Sequence, residues 1–274
     1  MPDVRIRPLR ATAEFETCVA IQRRVWNHAD LDITPVHQFC VAVHTGAILL
    51  GVFVDGTMAG YVYSFPAVFN GTRAQHSHHL AVLPDFQGYG LGRRLKWAQR
   101  DEAVRRGYDL ITWTYDPLQA RNANLNLHAL GAEGRTYLKN FYGCTPALTL
   151  DEGVPTDRLM VEWSIRSPRV KARKAKKIGP LDAADFPKAV ERKPGGVFPD
   201  IEPGRPRLAL DAPRILVEVP KNIRALTRGI GRISAWQKAV RSAFERYFAR
   251  GYCLDDFIFG EASYYVLTKG KTLR

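Results

Sequence analysis

The chain has 274 residues, 46% of them hydrophobic, and a formal net charge of +13 from 40 Lys and Arg against 27 Asp and Glu. That length and apolar content suit one full domain plus an appendage and argue against a disordered chain. No apolar run approaches the roughly 20 residues of a membrane helix, and no apolar signal segment precedes Glu14. Cys18, Cys40, Cys144 and Cys253 form no metal-type cluster, so a reduced, cytoplasmic protein without a bound metal is expected.

In chain order, residues 14–26 read as a helix and 35–43 as a shorter one, with Asp30 and Asp32 in the polar loop between them. Residues 47–54 and 57–65 are β-rich runs joined by Asp55-Gly56, a hairpin signal. Residues 75–83 predict a further strand. Residues 91–106 predict a helix, in which Leu91, Leu95 and Ala98 repeat at i, i+4 and i+7. A strand over 110–115 and a helix over 122–130, stopped by Gly131, follow. Apolar runs at 136–141 and 159–165 complete a first domain ending at residue 167.

Residues 168–207 turn to Lys, Arg, Pro and Gly and read as a linker. Much of the charge excess lies there, in Arg169-Val170-Lys171-Ala172-Arg173-Lys174-Ala175-Lys176-Lys177. No aromatics interleave with that run, so a solvated linker is favoured over a nucleic-acid contact. From residue 208 to 274 a βαββ pattern follows, with strands at 214–219, 252–259 and 263–268 and a helix at 233–248. Trp236, Val240, Ala243 and Tyr247 form an apolar stripe on that helix, which predicts docking onto the first domain or a second subunit. A homodimer is compatible with it.

Gln87-Gly88-Tyr89-Gly90-Leu91-Gly92 stands between the strand over 75–83 and the helix that opens at Leu91. Glycines there allow positive φ and close approach of backbone N–H groups to an anion, and the helix adds its positive end. The third glycine of a dinucleotide fingerprint is absent, and Gly92-Arg93-Arg94 is no P-loop. What fits is (Gln/Arg)-x-x-Gly-x-(Gly/Ala), with Gln87, Gly90 and Gly92 in register.

In this pattern the chain resembles the GNAT superfamily of acyl-CoA-dependent N-acyltransferases. His76-Ser77-His78-His79-Leu80-Ala81-Val82 is similar to the central strand of serotonin-type N-acetyltransferases, with two histidines two apart and the same Leu-Ala-Val. Trp113 to Leu118, Arg121 to Asn126, Leu130-Gly131-Ala132 and Tyr137 to Gly143 resemble a bacterial branch of predicted GNAT proteins of about this length. The resemblance implies an α/β (α+β) fold with a mixed, mostly antiparallel sheet of about seven strands flanked by helices, followed here by the small βαββ unit. It implies acetyl-CoA, or another acyl-CoA, as co-substrate, held by Leu80, Ala81, Val82, Gln87, Gly88, Tyr89, Gly90, Leu91, Gly92 and Arg93. Asn122 and Asn124 would touch the coenzyme arm, although Asn122 is also suited to cap its helix. The central strand is expected to splay from its neighbour near Ala81 and Val82.

Acyl transfer to an amine needs a base, for which a histidine near neutrality is suited. Strand alternation places His76, His78 and Leu80 on one face and Ser77, His79 and Ala81 on the other. His78 is the first choice for the base and His76 the second. The tyrosine that many family members carry four residues before the glycine is replaced here by Leu127, leaving Tyr137 and Tyr142 as substitute proton donors. Trp26, Asp30 and Asp32 lie where the family builds its acceptor pocket. The expected activity is transfer of an acyl group, acetyl by default, to the amine of a small molecule. Alternatives are succinyl-CoA-dependent acylation of amino acids and a non-catalytic CoA-binding or nucleic-acid-binding regulatory module.

Overall fold

The computed structural model describes residues 2–27, 30–143, 154–177, 179, 181–226 and 229–271; Cys144, noted in the sequence, lies outside the described residues. The chain divides into two compact units, residues 1–113 with 164–166 and residues 114–163 with 167–274. Among the described residues no helix is long and apolar enough to cross a membrane.

In the first unit β1 (Val4–Pro8), β2 (Ile48–Val54), β3 (Thr57–Phe69) and β4 (Thr72–Val82) form an antiparallel run in that order. Two tight turns set it up. Asp55 and Gly56 take φ of 47° and 82°, and Asn70 and Gly71 take 47° and 75°, the positive pair that a two-residue hairpin needs. The second turn lengthens β3 and β4 beyond the predicted strands. β4 then pairs in parallel with β5 (Leu110–Tyr115) at Ala74, Gln75 and His76.

Helices α1 (Thr12–Trp26) and α2 (Val36–His44) cover this sheet through Phe15, Cys18, Ile21 and Phe39, packed on Tyr61, Tyr63 and Ala81. Glu14 accepts from the N–H groups of Arg10 and Ala11 and fixes the start of α1. Helix α3 (Leu91–Arg105) packs on β2, β3 and β4. Gly107, at φ 79°, ends the chain's helical path there.

The second unit contains α4 (Ala120–Ala123), a π-helical turn over Asn124–Ala129, and β6 (Glu133–Leu138) antiparallel to β7 (Arg158–Ser164). β6 also meets β10 (Tyr252–Ile258) at Gly134 and Leu254, and β10 pairs with β11 (Ala262–Lys269), which pairs with β9 (Arg214–Pro220). Helix α6 (Gly229–Ala249) packs on β6, β9 and β10. Its stripe of Trp236, Val240, Ala243 and Tyr247 is wholly buried. The compact units thus follow strand pairing, whereas the division expected at residue 167 follows chain order.

Two expectations are corrected by packing. The described strands number eleven, more than the expected seven plus the three of βαββ; β1 and the short β8 (Lys188–Val190), parallel to β9, lie outside the runs read from the sequence. The segment 168–207 is also not a bare linker. It holds helix α5 (Pro168–Lys174), capped by the Ser167 hydroxyl, and it buries Val170, Arg173, Ala189, Val190 and Ile201. Arg173 of the basic run pairs with buried Asp256, so part of that charge is internal.

Candidate functional site

The site is built on β4. Its ladder with β3 places Tyr63 opposite His79 and Ser64 opposite Ser77, which leaves His78 as one extra residue. A bulge of one residue reverses side-chain alternation beyond it. The expected split of faces is therefore corrected: His79 joins His76 and His78. The Phe65 ring lies 5.4 Å from His76 and 5.8 Å from His78, while Tyr63 lies 6.2 Å from His78 and 5.8 Å from His79. His78 and His79 stack at 4.4 Å with their planes 26° apart. Trp26 of α1 closes on His79 at 5.0 Å.

The three histidines differ in setting. His78 is exposed, and His79 is buried with Nδ1 3.0 Å from the Tyr61 hydroxyl. His76 is half-buried, with Nδ1 3.1 Å from the Thr112 hydroxyl. Burial first, then the charges of His78 and Lys96, hold its pKa down to about 4. His76 is therefore neutral at physiological pH, a state in which an imidazole can accept a proton.

Ser77 and Leu80 sit on the α3 side. Leu80 approaches Gly92, whose added Cβ would stand 3.7 Å from it. Ser77 enters a buried network that the sequence reading missed: Lys96 donates to the Ser77 hydroxyl at 3.0 Å and to Oε1 of Gln99 at 2.8 Å, with its ammonium nitrogen 3.8 Å from the Trp113 ring centroid. Burial pushes the Lys96 pKa well down. Lys96 and Gln99, three apart on α3, are the signal that could have pointed to a polar contact inside the helix face.

The backbone of β4 changes partners along its length. Pairing with β5 ends at His76 opposite Thr112, earlier than the expected parting at Ala81 and Val82. Pairing with β3 continues to Val82 opposite Gly60. Gly60 is required there, because a Cβ on it would lie 2.3 Å from the Ala81 carbonyl oxygen.

After Val82 the chain makes a 3-10 turn over Pro84–Phe86, and the Gln87 side chain donates to the Val82 carbonyl at 2.9 Å, closing the loop. Gly88 and Gly90 take φ of 88° and 74°, and Gly90 is the N-cap of α3. Among the described residues nothing beyond each glycine's own neighbours lies within 4 Å of a Cβ built on it. The first N–H groups of α3 thus open onto an unfilled cradle, with Arg93 and Arg94 in its first turn. Tyr89 is exposed beside it.

Other predicted residues fare unevenly. Asp30 is exposed and paired with Arg23 of α1 at 2.9 Å. Asp32 is half-exposed in the same turn. In the second unit Asn122 lies inside α4, whose N-cap is Gln119, so the capping role is excluded; Asn124 opens the π turn. Leu127 is fully buried. Tyr137 donates to Asp157 at 2.5 Å, and burial, followed by the charge of Asp157, drives its pKa far up. The Tyr142 hydroxyl is 3.1 Å from that of Thr114.

Residues 12–132 match the family described as Acetyltransferase (GNAT) family. Among solved structures, the ribosomal-protein-S18-alanine N-acetyltransferase from Escherichia coli is 21% identical, covers 60% of this chain and 96% of its own, and has a TM-score of 0.48. The ribosomal-protein-alanine N-acetyltransferase from Brucella melitensis is 20% identical over 58% and 98%, with a TM-score of 0.47. The PaiA N-acetyltransferase from Thermoplasma acidophilum, solved in complex with coenzyme A, is 12% identical over 59% and 99%, with a TM-score of 0.43. The comparison with curated proteins finds no match.

Proposed function

Because residues 12–132 match the GNAT acetyltransferase family, we propose that this chain moves an acyl group, acetyl by default, from acyl-CoA to the amine of a small molecule. The observation that carries this reading is the continuous path from β4 into α3. One strand leaves its parallel partner after His76, bulges at His78, and runs into a helix N-terminus capped by an open glycine cradle.

The residues present fit a coenzyme A thioester. Gly88, Gly90 and the first N–H groups of α3 would hold its pyrophosphate, aided by Arg93, while backbone groups of Leu80, Ala81 and Val82 would lie along its arm. When bound, the thioester supplies an activated acyl carbonyl. His78 takes the proton from the acceptor amine, with neutral His76 as the second base on the same face. Trp26 borders this face beside His79 and would flank the acceptor.

The test is release of free thiol across a panel of primary amines and amino acids, each with acetyl-CoA and succinyl-CoA. Turnover with acetyl-CoA and at least one small amine is expected. Failure to bind any acyl-CoA overturns the reading, and turnover confined to succinyl-CoA with amino acids replaces the donor and acceptor named here.

A further inference from the structure

A cavity of about 520 Å³ lies at the C-terminal end of α3. It is at the other end of that helix from the glycine cradle, roughly 20 Å along the axis. Its floor is apolar: Leu9, Phe15, Ala47 and Leu49 are each at most 3% exposed. Its rim is basic. Three guanidinium groups, of Arg10, Arg105 and Arg106, face one carboxylate among the lining residues, Glu102.

The Glu102 carboxylate is already committed, since it accepts from Arg105 and from Arg106, each at 2.6 Å. Arg106 also donates to the carbonyls of Gly46 and Ala47, which fixes that wall. The side chains of Arg10 and His44 have no partner among the described residues, and both line the cavity. Exposed cations beside an apolar floor suit a ligand that brings both an anion and apolar surface.

We propose that this cavity binds a small monoanion with an apolar tail, of the medium-chain carboxylate class, its carboxylate at Arg10 and His44 and its hydrocarbon on Leu9, Phe15 and Leu49. The volume falls within the roughly 300–1,000 Å³ of small-molecule sites. The site does not depend on the acyl-transfer reading, because none of its lining residues belongs to β4 or to the glycine loop.

The experiment uses the full chain with octanoate as probe, titrated by calorimetry. Affinity should rise from butanoate through hexanoate to octanoate by on the order of threefold per methylene, because each buried methylene adds apolar transfer energy. Arg10→Gln, an exposed change, should weaken octanoate about tenfold while leaving coenzyme A binding unchanged. Octanamide, of the same length without charge, should bind at least as weakly as octanoate does to that variant. Location is read independently at Cys40, an exposed thiol on the cavity wall: octanoate should slow its alkylation by iodoacetamide, followed by peptide mass. Absence of octanoate binding at millimolar concentration overturns the proposal, as does binding indifferent to Arg10→Gln or without protection of Cys40.

Discussion

The Tyr61 hydroxyl lies 3.0 Å from Nδ1 of His79 inside the packed face of the first unit. Burial, followed by the charges of Cys18 and Tyr63, holds the Tyr61 pKa well above its ordinary value. The phenol therefore keeps its proton, and if it donates to Nδ1 a neutral His79 must carry its own hydrogen on Nε2. Tyr61→Phe removes this hydrogen bond from a buried imidazole, so a loss of about 0.5–1.5 kcal/mol is expected in urea unfolding. Nitrogen-15 chemical shifts of His79 should also change from a single tautomer to a mixture. Unchanged stability together with an unchanged tautomer would refute the donor assignment.

His76 makes the fold sensitive to acid. Its pKa of about 4 in the folded chain lies below the ordinary 6.5, so between these values the unfolded chain binds a proton that the folded chain refuses. Stability thus falls as pH drops from about 6.5 towards 4 and is unaffected by this group above that window. Allowing for its partial exposure, the loss is on the order of 2 kcal/mol. His76→Gln should flatten this slope relative to wild type when guanidinium midpoints are compared between pH 4.5 and 7.5. Parallel slopes in the two proteins would remove His76 as the cause.

Gly90 separates strain from obstruction. At φ 74° a valine is strained by about 1–3 kcal/mol, whereas asparagine tolerates the left-handed region. Both place a Cβ in the open space of the cradle. Gly90→Asn should retain near-native stability and yet weaken coenzyme A binding, and Gly90→Val should lose both. Calorimetric titration with coenzyme A decides the matter; native affinity in Gly90→Asn would show that the cradle is not where the pyrophosphate sits.

His78→Ala should leave coenzyme A binding intact and slow turnover by about 10²–10⁴-fold, the usual range for loss of a general base. The defect should be largest below the pKa of the acceptor amine, where most of the acceptor still holds its proton. A pH–rate profile identical to wild type would exclude His78 as base.

How much of this was legible depends on how local each feature is. Asp55-Gly56, the glycine loop and the start of α3 are written in adjacent residues, and the structure keeps them. Asn70-Gly71 carries the same signal and passed unused. The bulge at His78 is different in kind, because it exists only in the register between β3 and β4, and no spacing within His76-Ser77-His78-His79 announces it. The π turn over Asn124–Ala129 likewise hides in a sequence with ordinary helical spacing. The second unit turns on the meeting of Gly134 with Leu254, a contact 120 residues apart in sequence that local patterns cannot encode.

That meeting also underlies the last prediction, that residues 208–274 are structurally indispensable. Asp157, buried at 1% exposure, accepts from Arg241 of α6 through Nε at 2.8 Å and Nη2 at 2.9 Å, and from Tyr137 as well. Removing the arginine leaves a carboxylate without its charge partner in a dry setting, and such breaks typically cost about 3–5 kcal/mol. Arg241→Met should therefore lower the unfolding midpoint of the full chain far more than Lys238→Met, an exposed change on the same helix. Ending the chain at Ser167 removes that arginine together with the buried stripe of Trp236, Val240, Ala243 and Tyr247, and uncovers the surface of β6 on which α6 rests. Exposed apolar area of that kind drives association, so the fragment should elute as aggregate and unfold without a cooperative transition. A monomeric fragment as stable and as active as the whole chain would show that α6 and its strands are dispensable.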